Sequence, residues 1–165
     1  MQLPLPVYLM DVKQNILDAI SPRKDIDGLS TLHQKEKLIL PATPIAVLHM
    51  IDHYEYNVQG KTIAMLGNSN LIGKPLAFAL EYKGAFVTVF TDESDQEEMK
   101  RFCREESDMI ISATGQIHLV DKEFVRDDRS QVVIDIGRGY KDGKAAGDVQ
   151  REEIEENVYG ITPVP

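Results

Sequence analysis

The stretch from Lys61 to Phe90 constrains this chain most, because two apolar runs, a glycine-bracketed turn and a segment of helical period follow with almost no slack. Lys61 to Gly67 is short, apolar and rich enough in branched residues to read as a strand buried on both faces. Gly67 and Gly73 bracket the turn. From Lys74 to Lys83 apolar residues recur at helical spacing, Pro75 suits a first helical turn, and Gly84 follows the last. Ala85 to Phe90 is the next strand, with Asp92 just beyond its carboxyl end. The whole reads as a βαβ unit.

A turn of this kind presents the first amides of a helix and the positive end of its dipole, and its glycines let a diphosphate approach. Gly67-Asn68-Ser69-Asn70-Leu71-Ile72-Gly73 lacks the middle glycine of the usual GxGxxG spacing, so the glycine pair also fits a purely structural turn. Asp92 adds to the nucleotide reading, since a carboxylate about 20 residues on is where such a site bonds the ribose hydroxyls of an adenosine. It also fits a plain acidic helix start in the run Asp92, Glu93, Asp95, Glu97, Glu98.

At 165 residues and 42% hydrophobic, the chain can build one sizeable core and is too short for two full domains. A net charge of −9, with no long Lys/Arg cluster, disfavours nucleic acid as a partner. No apolar run approaches the roughly 18 residues of a membrane span, and the first residues lack the pattern of a signal peptide. These features, with Cys103 as the single cysteine, point to a cytoplasmic chain in a reducing compartment and away from a membrane partner. Cys103, set among Arg101, Arg104, Glu105 and Glu106, reads as an incidental helix residue rather than a nucleophile.

From the start of the chain, the alternate prolines of Gln2-Leu3-Pro4-Leu5-Pro6 force an extended segment. Asp11 to Ile20 is expected to be a helix capped by Asp11, and Thr43-Pro44 to start another. His49 and His53, four apart on that helix, read as an exposed pair, and no metal is expected. Beyond the βαβ unit come a charged helix from Asp95 to Glu106, strands at Met109 to Ala113 and Gln131 to Gly137, short helices at Lys122 to Val125 and Gln150 to Glu156, and a short element at Gly147 to Val149. Alternating strands and helices predict an α/β, Rossmann-like open sheet, mainly parallel, with helices on both faces. Its carboxyl rim would collect Gly67, Ser69, Asp92, Thr114, Gly115, Gly137 and Thr162.

Seven stretches, Gln2 to Pro6, Lys24 to Gly28, Leu40 to Pro44, Gly67 to Pro75, Val133 to Gly137, Gly147 to Val149 and Ile161 to Pro165, stand in the order found in one family. Over essentially its whole length the chain resembles FolD-type methylenetetrahydrofolate dehydrogenase/methenyltetrahydrofolate cyclohydrolases. The resemblance implies a Rossmann lobe facing a folate lobe, hydride transfer from 5,10-methylenetetrahydrofolate to NAD or NADP in one-carbon metabolism, and hydration of the methenyl product. It implies residues 1–42 as a segment linking from the folate lobe and 43–165 as the NAD(P)-binding domain. It assigns cofactor contacts to Gly67, Asn68, Ser69, Ile72, Gly73, Asp92, Thr114, Gly115, Gly137 and Thr162. Gln2 matches the glutamine beside the family's catalytic lysine, Pro4 lies along the pterin site, and Asp27 matches the aspartate that bonds the pterin. Read without the resemblance, Asp27 is a turn residue before Gly28. Homodimers pairing through the cofactor lobe are implied as well.

The departures from the family also carry expectations. The family's tyrosine and lysine lie upstream of the segment matching Gln2 to Pro6, so no lysine here takes their proton-transfer role and negligible turnover is expected of this isolated chain. His33 and Lys35 stand where the family has asparagine and glycine. Arg138 replaces an apolar residue after Gly137. NADP-using members carry arginine at the position of Asn68 and serine, often with a basic neighbour, at Asp92 and Glu93. The reversed charge favours NAD, because a carboxylate repels a 2′-phosphate and accepts from a free 2′-hydroxyl. Two other readings stay open: a nucleotide-binding module without chemistry, and a pseudoenzyme or interaction scaffold.

Overall fold

The computed structural model describes residues 5–36, 39–141 and 143–163. The helices and strands along the chain are α1 (Lys13–Asp18), α2 (Thr31–Glu36), α3 (Ala42–His53), β1 (Thr62–Leu66), α4 (Gly73–Tyr82), β2 (Phe86–Phe90) and α5 (Gln96–Glu105), then β3 (Met109–Ser112), β4 (Val132–Asp135), β5 (Gly139–Lys141), β6 (Lys144–Ala146), α6 (Arg151–Ile154) and β7 (Gly160–Ile161). Five strands form one parallel sheet in the order β2-β1-β3-β4-β7. After β2 the chain crosses to the other side of β1, so adjacent crossovers leave the β1 and β3 carboxyl ends in opposite directions and a crevice opens between them.

The strand period of two explains how a five-residue strand serves two cores. Ile63 and Met65 of β1 point to a cluster with Val47 and Ile51 of α3 and Leu76 and Leu80 of α4. Ala64 and Leu66 point the other way, to Met99 and Cys103 of α5, Phe124, and Ile154 of α6. These four of the five β1 residues are fully buried, which is why the run reads as continuously apolar. Burial also pushes the Cys103 thiol up to about 12, so it is an inert core group rather than a nucleophile.

The two strongest segments of the βαβ unit form where their patterns place them, and several of the weaker elements do not. Helix α1 is preceded by a 3-10 segment, Val7–Val12, and begins only at Lys13, so Asp11 is not its cap. Asp18 at its end instead receives the Thr31 N–H (2.7 Å) and hydroxyl (2.8 Å), which ties α1 to the start of α2. Helix α3 starts at Ala42 with Pro41 preceding it, ahead of the expected Thr43 cap. Lys122 to Val125 forms turns, because Asp121 Oδ1 accepts the Glu123 N–H (2.8 Å) and the core takes Phe124 and Val125 without a helix. Gly147 to Val149 contributes one bridge, Val120 to Val149, and the antiparallel pair β5–β6 was unanticipated. Among the described residues no helix is long and apolar enough to cross a membrane.

Candidate functional site

Glycine decides the geometry at the head of α4. Gly67 takes φ +102°, and a Cβ there would lie 2.7 Å from the Ala113 carbonyl oxygen. A Cβ on Gly73 would lie 2.1 Å from the Gly67 carbonyl oxygen, so the helix can begin this close to β1 only without a side chain. Ser69 closes the turn from inside: its Oγ accepts the Ile72 N–H and its carbonyl accepts the Lys74 N–H, both at 3.1 Å. The turn is therefore not a row of bare donors. An incoming anion would compete for the Ile72 amide with a neutral hydroxyl, a weaker acceptor than a charged oxygen.

Between this turn and the carboxyl ends of β2 and β3 lies a cleft of about 580 Å³, within the range of small-ligand sites. Leu66, Phe90, Met99 and Leu119 give it an apolar floor, and Gly67, Asn68, Ser69, Asp92 and Thr114 contribute to its walls. Asp92 and Asn68 are exposed at the mouth. The loop carrying Asp92 is pinned locally, with the Thr91 N–H on Ser94 Oγ (2.9 Å) and the Glu93 N–H on Thr91 Oγ1 (3.2 Å). Ser94, Gln96 and Gln116 also line the cleft and were not among the expected site residues.

Gly115, Gly137 and Thr162 stand apart from the cleft's walls, in a polar knot under the β3 and β4 ends. Fully buried Asp148 is its centre: Oδ2 accepts from Ser112 Oγ (2.7 Å), the Thr114 N–H (2.7 Å), Thr114 Oγ1 (2.8 Å) and the Gly115 N–H (3.3 Å). Among the described residues its Oδ1 is buried without a hydrogen-bond partner. A Cβ on Gly137 would fall 1.9 Å from that Oδ1, so the absence of a side chain at Gly137 is explained by Asp148 with no ligand invoked. Beside it, Asp135 accepts the Asp148 and Val149 amides, both at 3.1 Å. Burial holds the Asp135 carboxyl above its ordinary range, with the charge of Asp148 adding to the effect, against these amides. The Thr162 hydroxyl accepts the Asp135 N–H (2.9 Å), which fastens the end of β7 to β4. Asp148, Ser112 and Asp135 were missed as working residues. The signals in the sequence were the Val133 to Gly137 stretch, which holds Asp135, and the Gly147 to Val149 stretch, which holds Asp148; nothing in either pointed back to Ser112.

Toward the start of the chain, Gln2 and Pro4 lie outside the described residues. Asp27 is half-buried in a turn, whereas Asp25 is the buried carboxylate, accepting the Leu29 N–H (3.1 Å), the Ser30 N–H (2.8 Å) and an approach from His33 Nδ1 (3.0 Å). Burial pushes the Asp25 carboxyl up, and bonds from Ser30, Leu29 and His33 outweigh it and leave it below the ordinary carboxylate range. A second cavity of about 370 Å³ lies between Gly28, His33, Leu40 and Pro41 on one side and Asn70, Lys74 and Phe78 on the other.

The chain is similar to known proteins over nearly its whole length. Residues 41–165 match the family described as tetrahydrofolate dehydrogenase/cyclohydrolase, NAD(P)-binding domain. A bifunctional protein FolD of Streptococcus pyogenes is 38% identical, over 99% of this chain and 57% of its own length. The crystal structure of the bifunctional FolD dehydrogenase/cyclohydrolase of Campylobacter jejuni superposes with a TM-score of 0.85 at 34% identity, covering 99% of this chain and 58% of that one. The Trypanosoma brucei FolD, crystallised with NADP cofactor and inhibitor, gives 0.85 at 29% identity, covering 99% and 58%. This chain thus spans somewhat more than half the length of the relatives it matches. It belongs to the tetrahydrofolate dehydrogenase/cyclohydrolase family, and its matched residues are that family's NAD(P)-binding domain.

Proposed function

We propose that this chain is the dinucleotide-holding side of a methylenetetrahydrofolate dehydrogenase/cyclohydrolase, and that it prefers NAD. One observation carries the reading: Gly67 to Ser69 at the head of α4 and Asp92 at the end of β2 line the same open cleft. The diphosphate would lie against the turn and the start of α4, where the helix dipole favours negative charge. The Asp92 carboxylate would accept from the ribose hydroxyls, over an apolar floor fit for a flat ring. When bound, the nicotinamide accepts the hydride; the chain's own residues bind it, orient it and set its charge environment. Turnover would need the rest of the enzyme. The exposed apolar side chains of Val7, Tyr8, Met10, Val12, Ile26 and Leu32 offer a surface on which a folate-binding lobe would pack, with Asp27 as a pterin-side carboxylate. Pairing of two copies through the cofactor lobe and a cytoplasmic setting complete the proposal. Ser69, which already occupies the Ile72 and Lys74 amides, is the observation favouring a scaffold without nucleotide.

Calorimetric titration with NAD and NADP separates these readings. NAD is expected to bind at least about tenfold tighter than NADP, because a 2′-phosphate would sit a few Å from Asp92, where water and salt screen the repulsion only in part. Asn68→Arg with Asp92→Ser is expected to reverse the order. An unchanged cofactor ratio in the double variant would remove the assigned roles of both residues. Heat released by neither nucleotide would leave the scaffold reading.

A further inference from the structure

Resting on that proposed reading, we infer that Asp148 makes the nicotinamide end of the site select the oxidised, positively charged ring over the reduced, neutral one. Three features of the fold lead there. First, Asp148 is fully buried, and its four donors, two hydroxyls and two backbone amides, are all neutral. Among the described residues neither Asp148 nor its neighbour Asp135 is in an ion pair with a lysine, arginine or histidine, and Oδ1 has no partner at all. The cation nearest in sequence to Gly137, Arg138, is exposed, with its guanidinium 5.8 Å from the centre of the Tyr140 ring. Dipoles hold this carboxylate in place without cancelling its charge.

Second, the knot lies on a defined side of the cleft. With the adenosine ribose at Asp92, in the loop after β2, and the diphosphate at the β1–α4 turn, the strand order β2-β1-β3-β4 leaves the other half of a dinucleotide over the β3 and β4 ends. Asp148 sits beneath those two ends, bonded to Ser112, Thr114 and Gly115 after β3 and packed against Gly137 after β4.

Third, the two redox forms differ in charge at the ring and share the adenosine, the diphosphate and both riboses. The field of an uncompensated carboxylate in a poorly screened interior therefore acts on their difference alone. One unit charge under a ring several Å away, at an effective dielectric near 20, is worth about tenfold or more in relative affinity. The direction suits a lobe that takes up the oxidised cofactor and releases the reduced one. Nothing in the Asp148 hydrogen-bond set requires the bound group to touch it, so its action is on specificity rather than on chemistry.

The test is calorimetric titration of the chain with NAD⁺, NADH and ADP-ribose, which lacks the ring. The unmodified chain is expected to bind NAD⁺ about tenfold tighter than NADH. Asp148→Asn keeps the shape and an acceptor for the four donors, removes the charge, and is expected to bring the ratio near one with ADP-ribose affinity unchanged. Ser112→Ala removes a donor and leaves the charge, so the preference should persist or grow. It also serves where Asp148→Asn does not fold. A ratio near one in the unmodified chain, a ratio retained in Asp148→Asn, or a ratio lost in Ser112→Ala each overturns the inference while leaving dinucleotide binding intact. Absence of ADP-ribose binding to the unmodified chain would instead overturn the dinucleotide reading, and this inference with it.

Discussion

Gly73→Ala is expected to lower stability by about 3 kcal/mol or more and to abolish nucleotide binding. The added methyl would lie 2.1 Å from the Gly67 carbonyl oxygen, 2.8 Å from its carbon and 3.0 Å from Asn68 Cα. All three are backbone atoms, so no rotamer change relieves the clash, and the head of α4 must move away from β1. That shift would break the Ser69 bonds to Ile72 and Lys74 and loosen Leu76 and Leu80, both fully buried in the cluster beneath the turn. Gly160→Ala is the matched control, since a Cβ there meets nothing within 4 Å, and it should stay within about 0.5 kcal/mol of the unmodified chain. Urea denaturation of the two variants side by side checks the contrast. Equal midpoints would show that the turn is looser than its geometry.

Gly137→Ala is the second large effect, for a different reason. Its methyl would come within 1.9 Å, 2.0 Å and 2.2 Å of Asp148 Oδ1, Cγ and Oδ2, so the carboxylate rather than the backbone must give way. Moving it strands the Ser112 and Thr114 hydroxyls and the Thr114 and Gly115 amides, and each buried donor left unsatisfied costs roughly 1–3 kcal/mol. A loss of about 4 kcal/mol is expected. Because glycine and carboxylate act as one unit, Gly137→Ala combined with Asp148→Ala should cost much less than the sum of the two single changes. Strict additivity in a denaturation cycle would mean that the two residues do not share a strain.

These two glycines show what a sequence of this kind does and does not reveal. The pair Gly67 and Gly73 was legible because both ends of the contact lie within one turn, bounded by a strand of period two and a helix closed by Gly84. Gly137 was legible as a rim residue, but its reason was not, since the atom that excludes a side chain there belongs to Asp148 in a later segment. Asp25 was hidden likewise: the sequence offers Asp25 and Asp27 around one turn, and only the chain path shows which of them the Leu29 and Ser30 amides reach. Lys122 to Val125 misled because Phe124 and Val125 are core residues whatever their backbone does. The β5–β6 hairpin was missed although Asp142-Gly143 is a hairpin-turn dipeptide, because strands of three residues give no readable alternation.

Amide chemical shifts of the ¹⁵N-labelled chain, followed as NAD⁺ is added, bear most directly on whether the β1–α4 turn holds a dinucleotide. Gly67, Asn68, Gly73, Asp92, Thr114 and Gly115 are predicted to shift together and to saturate on one binding curve, while Gly28, Gln34 and Leu40 around the second cavity stay still. Silence at the turn at millimolar NAD⁺, or shifts confined to that second cavity, would contradict it.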